Sequence, residues 1–277
     1  MIPGRFDYHR PDSVAGAIAI LTEHGDAARV VAGGHSLIPM MKLRMTDLEH
    51  LIDLQAIEAL KGIDVADGTV RIGAMTTQHE LLTSDVLKSA VPILHEAATQ
   101  IADPQVRYMG TVGGNVANGD PGNDMPGLMQ CLGASFTLIG PNGTREVAAR
   151  DYYEAAYFTE REDDEILSEI RFQVPPAGTG YAYEKQKRKI GDYATAAAAV
   201  LTGPSGASIA MTNLSDTPIW SQEAGDALAS GDTEGAIAAA LAAIDPSEDN
   251  RGPVEFKKHV AGVILRRAIE RAQKRAG

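Results

Sequence analysis

The sequence predicts an α+β protein of two domains, and three observations support this fold class. Near the N-terminus, short apolar runs typical of strands alternate with helix-like segments. The middle of the chain carries several further strand-like runs, which favours antiparallel pairing. The run "VPPAGTG" at residues 174–180 then interrupts the pattern. We therefore predict a first domain over 1–176, with subdomains at about 1–56 and 57–176, and a smaller α+β domain over 177–277 with a short antiparallel sheet and helices.

The first elements are predicted from their end signals. Ser13 is a favourable N-cap for the helical segment "VAGAIAILTEHG", which Gly25 is expected to end. The runs "RVVAG" and "HLIDL" predict strands, and "SLIPMMKLRMTDL" between them predicts a helix broken near Pro39. These elements predict a βαβ-like first unit.

The later elements are predicted in the same way. "TVRIGAM" predicts a strand, and residues 77–99 predict helix with a break at Pro92. Strands follow at "SFTLIGP", "TREVAA" and "EILSEIRFQVP", and "MPGLMQCLGASF" predicts a buried helix. In the second domain we expect a glycine-turned pair around "TGPSGASIAM", an Ala-rich stretch near 234–244 and a terminal helix.

The terminal helix is predicted to begin at Val254. Four apolar residues recur in it at helical spacing: Phe256, Val260, Val263 and Ile264. We expect this apolar face to pack on its own domain. The basic side chains of the same helix then either stay solvated near its C-terminal end or help seat the chain against a partner.

Composition and charge exclude several classes of function. The chain has 277 residues, 44% of them hydrophobic, which is enough to bury a substantial core. Its 25 basic and 37 acidic residues give a net charge of −12, which disfavours binding to nucleic acid or to anionic lipid. The sequence shows neither a signal peptide nor an apolar run of the ~18 residues that a membrane span requires. We expect a cytoplasmic protein without a membrane span.

Cysteine and histidine usage limits the redox and metal chemistry of the chain itself. Cys131 is the only cysteine, which excludes an internal disulfide, a CxxC pair, a thiolate zinc site and an iron–sulfur cluster held by this chain. We interpret Cys131 as a small buried hydrophobe. The seven histidines show no HExxH or similar spacing, so no metal site is expected.

Two glycine loops share one design. "AGGHSLIPMMKLR" at 32–44 and "GTVGGNVANGDPGNDMP" at 110–126 each place a glycine pair and a polar residue in a loop. Glycine allows positive φ and close approach to a ligand, and successive N–H groups can bind phosphate oxygens. Taken singly, either pair fits an ordinary turn. Neither loop contains GxGxxG or GxxxxGK[ST], so a dinucleotide fingerprint and a P-loop are both excluded.

Three segments carry a family resemblance: "AGGHSLIPMMKLR", "IADPQVRYMGTVGGNVANGDPGNDMP" and "YAYEKQKRKIGDYATAAAAV". They resemble the FAD-binding medium subunits of aerobic carbon monoxide dehydrogenases, in the xanthine dehydrogenase family of molybdenum hydroxylases. The resemblance runs from the N-terminus to the basic terminal helix. It departs between about residues 202 and 247, where the family has a longer strand connection. It implies a two-part FAD-binding domain of the PCMH (vanillyl-alcohol oxidase-like) type, followed by the flavoprotein C-terminal domain.

The resemblance also implies a set of FAD-binding residues. The first clamp on the pyrophosphate comprises Ala32, Gly33, Gly34, His35, Ser36 and Leu37. The second clamp comprises Thr111, Val112, Gly113, Gly114 and Asn115. Further contacts are assigned to Ile101, Met109, Asp124, Lys185 and Tyr193, and no side chain of this chain is assigned to catalysis.

Three of these residues also have plainer interpretations. Asp124 either accepts hydrogen bonds from ligand hydroxyls or is a helix N-terminal carboxylate. Lys185 is implied to stabilise negative charge on reduced flavin, whereas the pattern alone suits a solvated member of "KQKRK". Tyr193 is either a flavin-facing aromatic or a packing residue between domains.

The implied function is electron transfer by noncovalently bound FAD. A small partner subunit with [2Fe-2S] clusters and a large molybdenum subunit are implied, in a dimer of heterotrimers, with quinone as the external acceptor. Two alternatives stay open. One is the flavin subunit of another molybdenum hydroxylase, acting with an aldehyde, purine or aromatic substrate, and the other is a nonredox phosphate-binding or assembly subunit.

Overall fold

The computed structural model describes residues 2–277, and it begins with a parallel three-stranded sheet. The strands, in the order β1-β3-β2, are β1 (Asp7–His9), β2 (Ala28–Val31) and β3 (His50–Asp53). The helices are α1 (Val14–His24) and α2 (Leu37–Lys42). The predicted βαβ-like unit is confirmed. Ser13 caps α1 by accepting from the N–H of Gly16, and Gly25 ends it with a φ of 50°.

The predicted break near Pro39 is wrong. Pro39 is the third residue of α2, and the helix continues to Lys42. A proline in the first turn costs no intrahelical hydrogen bond, because the N–H at that position has no helical acceptor.

The middle of the chain forms a five-stranded antiparallel sheet and a small hairpin. Its strands are β4 (Ile63–Ala66), β5 (Thr69–Gly73), β6 (Ser135–Gly140), β7 (Gly143–Ala148), β8 (Tyr153–Ala155), β9 (Phe158–Thr159) and β10 (Ile166–Gln173). The sheet has the order β4-β5-β10-β6-β7, and β8 pairs with β9. The antiparallel pairing predicted for this segment is confirmed.

Six helices accompany this sheet. They are α3 (Gln78–Thr83), α4 (Asp85–Ala90), α5 (Pro92–Ala98), α6 (Pro104–Met109), α7 (Val112–Ala117) and α8 (Asp124–Cys131). The helical segment 77–99 breaks before Pro92, as predicted, and also at Ser84, which ends α3 and caps α4. All eight residues of α8 are buried, which confirms the predicted buried helix. Burial raises the pKa of the Cys131 thiol to about 12.

The C-terminal part is a four-stranded antiparallel sheet with three helices. Its elements are β11 (Gly180–Gln186), β12 (Ala196–Gly203), β13 (Gly206–Thr212), β14 (Ile219–Trp220), α9 (Gln222–Ala229), α10 (Thr233–Ala243) and α11 (Val254–Arg275). The strands follow one another in chain order across the sheet. The glycine-turned strand pair and the terminal helix are confirmed, and the Ala-rich stretch forms helix α10.

Strand β12 joins the two halves of the molecule. Ala197 and Ala199 belong to the core that contains α8, whereas Ala196, Ala198 and Val200 belong to the core beneath α9, α10 and α11. Successive side chains of a strand point to opposite faces, so a run of alanines can be buried on both sides. One strand therefore contributes to both hydrophobic cores.

The face that α11 buries differs from the one predicted. Ile264 is buried, but Phe256 and Val263 are 45% and 37% exposed. The buried face instead combines three alanines with larger side chains: Lys257, Ala261, Ile264, Leu265, Ala268, Ile269 and Ala272. A Cβ built on Gly180 of β11 would overlap the carbonyl oxygen of Ala272 and lie 2.9 Å from its carbonyl carbon, so helix and strand are in backbone contact at Ala272. Within residues 2–277, no helix combines the length and apolar character needed to cross a membrane.

Candidate functional site

The two glycine loops lie against each other. The first loop, residues 32–37, leads from β2 into α2, and the second, residues 111–115, begins α7. A Cβ built on Gly33 would lie 2.7 Å from the Cα of Gly110 and closer still to the carbonyl oxygen of Met109. A Cβ on Gly114 would lie 3.3 Å from the Cβ of Ala32. The absence of a Cβ on Gly33 therefore permits a backbone contact between the two loops.

The first loop presents a row of free backbone donors. Within residues 2–277, no acceptor receives a hydrogen bond from the five backbone N–H groups of residues 33–37. Gly34 has a φ of 73°, a conformation that glycine adopts without steric cost, and Ser36 follows in the helical region. Alternation of left- and right-handed residues makes successive N–H groups converge into an anion-binding concavity. The first loop is thus suited to phosphate oxygens.

The second loop is built differently. The N–H groups of Val112 and Gly113 donate to the carbonyl oxygens of Thr76 and Ala74, both at 2.9 Å. The next glycine N–H donates to the hydroxyl of Thr111 at 3.1 Å, which is an N-cap interaction at the start of α7. These donors are therefore already used within the protein. The second loop therefore forms a wall beside the first loop, and its N–H groups at residues 112–114 do not form a second row of free donors.

Asp124 and Lys185 form a buried ion pair close to this wall. The ammonium of Lys185 lies 2.8 Å from Oδ2 of Asp124, and their side chains are 1% and 6% exposed. The hydroxyl of Tyr183 donates to Oδ1 of Asp124 at 2.5 Å. Burial and the Asp124 charge hold the pKa of Tyr183 well above its usual range, so it remains a donor. The interpretation of Lys185 as a solvated lysine is wrong.

Asn115 connects the second loop to the ion pair. Its side-chain oxygen accepts from the N–H of Met125 at 3.2 Å, and its carbonyl oxygen accepts from the amide of Asn123 at 2.8 Å. These two residues flank Asp124 at the start of α8. These hydrogen bonds therefore fix the position of the second loop relative to the ion pair.

The other predicted residues lie around the same region. Ile101 is buried, and Met109 is 44% exposed at the end of α6. Tyr193 is 40% exposed, and its ring packs where a Cβ on Gly122 would lie 3.0 Å away. Burial first, and then the charge of Asp120, raise the pKa of Tyr193 to about 12. Its phenol is therefore neutral at physiological pH.

Three residues that contact the buried ion pair or its surroundings were not predicted from the sequence. Tyr183 binds the buried carboxylate, and the carbonyl of Gln100 accepts from Lys185 at 3.4 Å and from Lys187 at 3.3 Å. Desolvation, followed by the nearby charge of Lys185, lowers the pKa of Lys187. Lys187 lies two residues after Lys185 in β11 and its continuation, so the alternation of a strand could have indicated that both lysines share a face.

Comparison with known proteins places this arrangement in a family. The family model described as the FAD binding domain in molybdopterin dehydrogenase matches residues 4–176, and the one described as the CO dehydrogenase flavoprotein C-terminal domain matches residues 181–272. The chain belongs to the family of FAD-binding chains of molybdopterin dehydrogenases. The resemblance stated from the sequence is confirmed, and with it the α+β fold class and the assignment to oxidoreductases.

Relatives of this flavoprotein family match over their whole length. The carbon monoxide dehydrogenase medium chain of Afipia carboxidovorans is 58% identical, over 100% of this chain and 99% of the relative. The glyceraldehyde dehydrogenase medium chain of Sulfolobus acidocaldarius is 33% identical, over 98% of this chain and 99% of the relative. A crystal structure of Cu,Mo-CO dehydrogenase in its cyanide-inactivated form superposes with a TM-score of 0.97 at 58% identity, covering 100% of both chains. The contribution of each individual residue to flavin binding stays a prediction.

Proposed function

We propose that this chain is the noncovalent FAD carrier of a carbon monoxide dehydrogenase-type complex. The observation that carries the proposal is the set of five free backbone N–H groups in the first loop, next to the wall formed by the second loop. The 58% identity to a carbon monoxide dehydrogenase medium chain supports the same conclusion.

The residues present fit FAD. The free donors of residues 33–37 suit the diphosphate, because that group offers several anionic oxygens and needs no cationic side chain when N–H groups converge on it. The wall of residues 111–115 fixes the other side of the diphosphate. Bound FAD supplies one- and two-electron redox chemistry, and the protein supplies position and electrostatics.

The ion pair of Asp124 and Lys185 forms the polar floor near the isoalloxazine end of the proposed site. Its two charges offset each other at 2.8 Å, so Lys185 acts toward a flavin as part of a dipole. Lys187 supplies further cationic character, since its ammonium donates to the carbonyl of Gln100 at 3.3 Å and forms no ion pair within residues 2–277. Tyr193, neutral and partly exposed, offers an aromatic surface beside them.

The proposed partners rest on the family resemblance together with the cysteine content of the chain. One cysteine, buried in α8, cannot hold an iron–sulfur cluster. We therefore place the [2Fe-2S] clusters on a small subunit and the molybdenum centre on a large one, in a cytoplasmic dimer of heterotrimers. In that complex this chain would hold the FAD that takes electrons from the clusters, and we propose quinone as the external acceptor.

The proposed function is tested by anaerobic reduction of the assembled complex. The chain is co-expressed with the small and large subunits of a carbon monoxide dehydrogenase, and the visible flavin absorption is followed after addition of carbon monoxide. We expect bleaching with carbon monoxide and none with glyceraldehyde. A flavin that stays oxidised with carbon monoxide but bleaches with glyceraldehyde assigns the chain to another molybdenum hydroxylase, as the 33% identical relative illustrates.

We expect His35 to hold no covalent bond to the flavin. His35 is exposed within the first loop, where its ring could be reached by a cofactor. The family resemblance nevertheless favours noncovalent binding. After acid precipitation of the holoprotein, the yellow colour should therefore stay in the supernatant. Colour retained in the pellet of the unaltered chain, and lost from the pellet of His35→Ala, would show a covalent link.

A further inference from the structure

Three histidines that are distant in sequence meet at one end of the N-terminal sheet. His9 ends β1, His24 ends α1 and His50 begins β3. A ligand nitrogen from each lies within 4.8 Å of a ligand nitrogen from both others. Because the three positions are separated by a helix and by a βαβ crossover, no sequence spacing reveals this cluster. It lies outside the residues assigned to the flavin.

Two of the nitrogens are already at a spacing that a metal ion uses. Nε2 of His9 and Nδ1 of His50 are 3.0 Å apart. With bonds of about 2.0–2.1 Å, two nitrogens on a tetrahedral zinc ion lie roughly 3.3 Å apart. A hydrogen bond between imidazoles also needs one bare nitrogen as acceptor, so at least one ring is in the neutral form that ligates metals.

The third ring is close enough to complete the site. The rings of His24 and His50 stack with centroids 3.7 Å apart, and the centroids of His9 and His24 are 5.9 Å apart. Because the nitrogens of stacked rings point in parallel directions, His24 has to rotate out of the stack to ligate the same ion, starting from a nitrogen separation of no more than 4.8 Å. His24 is the last residue of α1, where the negative end of the helix dipole favours a cation.

The surroundings allow an ion to enter. All three histidines are partly exposed, which leaves room for water as the fourth ligand. We propose that His9, His24 and His50 bind one divalent transition-metal ion of the class that imidazole prefers, with Zn²⁺ as the representative. The site is separate from the flavin and does not depend on the proposed electron path.

The test is a Zn²⁺ titration of the tag-free full-length chain against a chromophoric chelator. We expect one saturable Zn²⁺ per chain and a rise in thermal midpoint when Zn²⁺ is added. His24→Gln and His9→Gln should each weaken binding at least about tenfold. His259→Gln is the matched control, because His259 is exposed on α11, and it should bind like the unaltered chain.

The variants are compared by circular dichroism without metal, so that a folding defect is recognised. Variants that fold normally and lose Zn²⁺ binding support the site. The proposal is overturned if the unaltered chain binds no saturable Zn²⁺, or if folded His24→Gln and His9→Gln both bind it as tightly as His259→Gln does.

Discussion

Gly33→Ala is expected to release the flavin from a chain that remains folded. The added Cβ would lie 2.7 Å from the Cα of Gly110 and closer still to the carbonyl oxygen of Met109, and backbone atoms cannot rotate away. The two glycine loops must then separate. Overpacking of this kind costs about 1–3 kcal/mol, so we expect FAD affinity to fall roughly 10- to 100-fold. Flavin absorbance per chain after desalting, and titration of the apoprotein with FAD, measure the loss.

Gly262→Ala is the control for this change. Gly262 lies within α11, where a Cβ would meet only Leu241 at an ordinary 3.4 Å, and alanine favours a helix over glycine. This variant should keep its flavin. A Gly33→Ala chain with the same flavin content and affinity as Gly262→Ala would contradict the contact that we assign to the loops.

Lys185→Met is expected to destabilise the chain by about 3–5 kcal/mol, because it removes the cation from a buried carboxylate. Asp124, with a side chain 6% exposed, would keep only the Tyr183 hydroxyl and would face the cost of burial unneutralised. Denaturant unfolding of the apoprotein measures the effect without a contribution from lost flavin. Lys189→Met is the control, because Lys189 is exposed in the same segment and should change stability by no more than about 0.5 kcal/mol.

Combining Lys185→Met with Asp124→Asn separates the ion pair from other effects. With both charges removed, the penalty of an unpaired carboxylate disappears, so the double variant should be more stable than Lys185→Met alone. If Lys185→Met unfolds at the same denaturant concentration as Lys189→Met, the buried pair has no such role.

The elements predicted correctly are those whose ends carry local signals. Ser13 and Gly25 define α1 through one side-chain cap and one positive φ, both of which depend only on neighbouring residues. The helix α7 was missed because its sequence contains two glycines, which are poor helix formers. Its first turn is instead held by tertiary hydrogen bonds to Thr76 and Ala74, and such contacts leave no trace in local sequence.

The candidate site likewise has features that the local sequence reveals and features that depend on tertiary contacts. The glycine loops were recognisable from their residues, but their unequal use of backbone donors depends on what packs behind each loop. The pairing of Asp124 with Lys185 spans 61 positions, and the histidine cluster joins three separate elements. Similarly, the close approach of α11 at Ala272 requires a residue without a Cβ at Gly180 of β11, a contact that joins positions far apart in the sequence.

The alanine run of β12 limits how the molecule can move. Because Ala197 and Ala198 are buried in different cores, separating the two halves would expose a face of β12 that is now buried. Under the proposed function, we therefore expect the two halves to keep their relative position during turnover, so that the turnover rate depends on the arrival of reductant and acceptor.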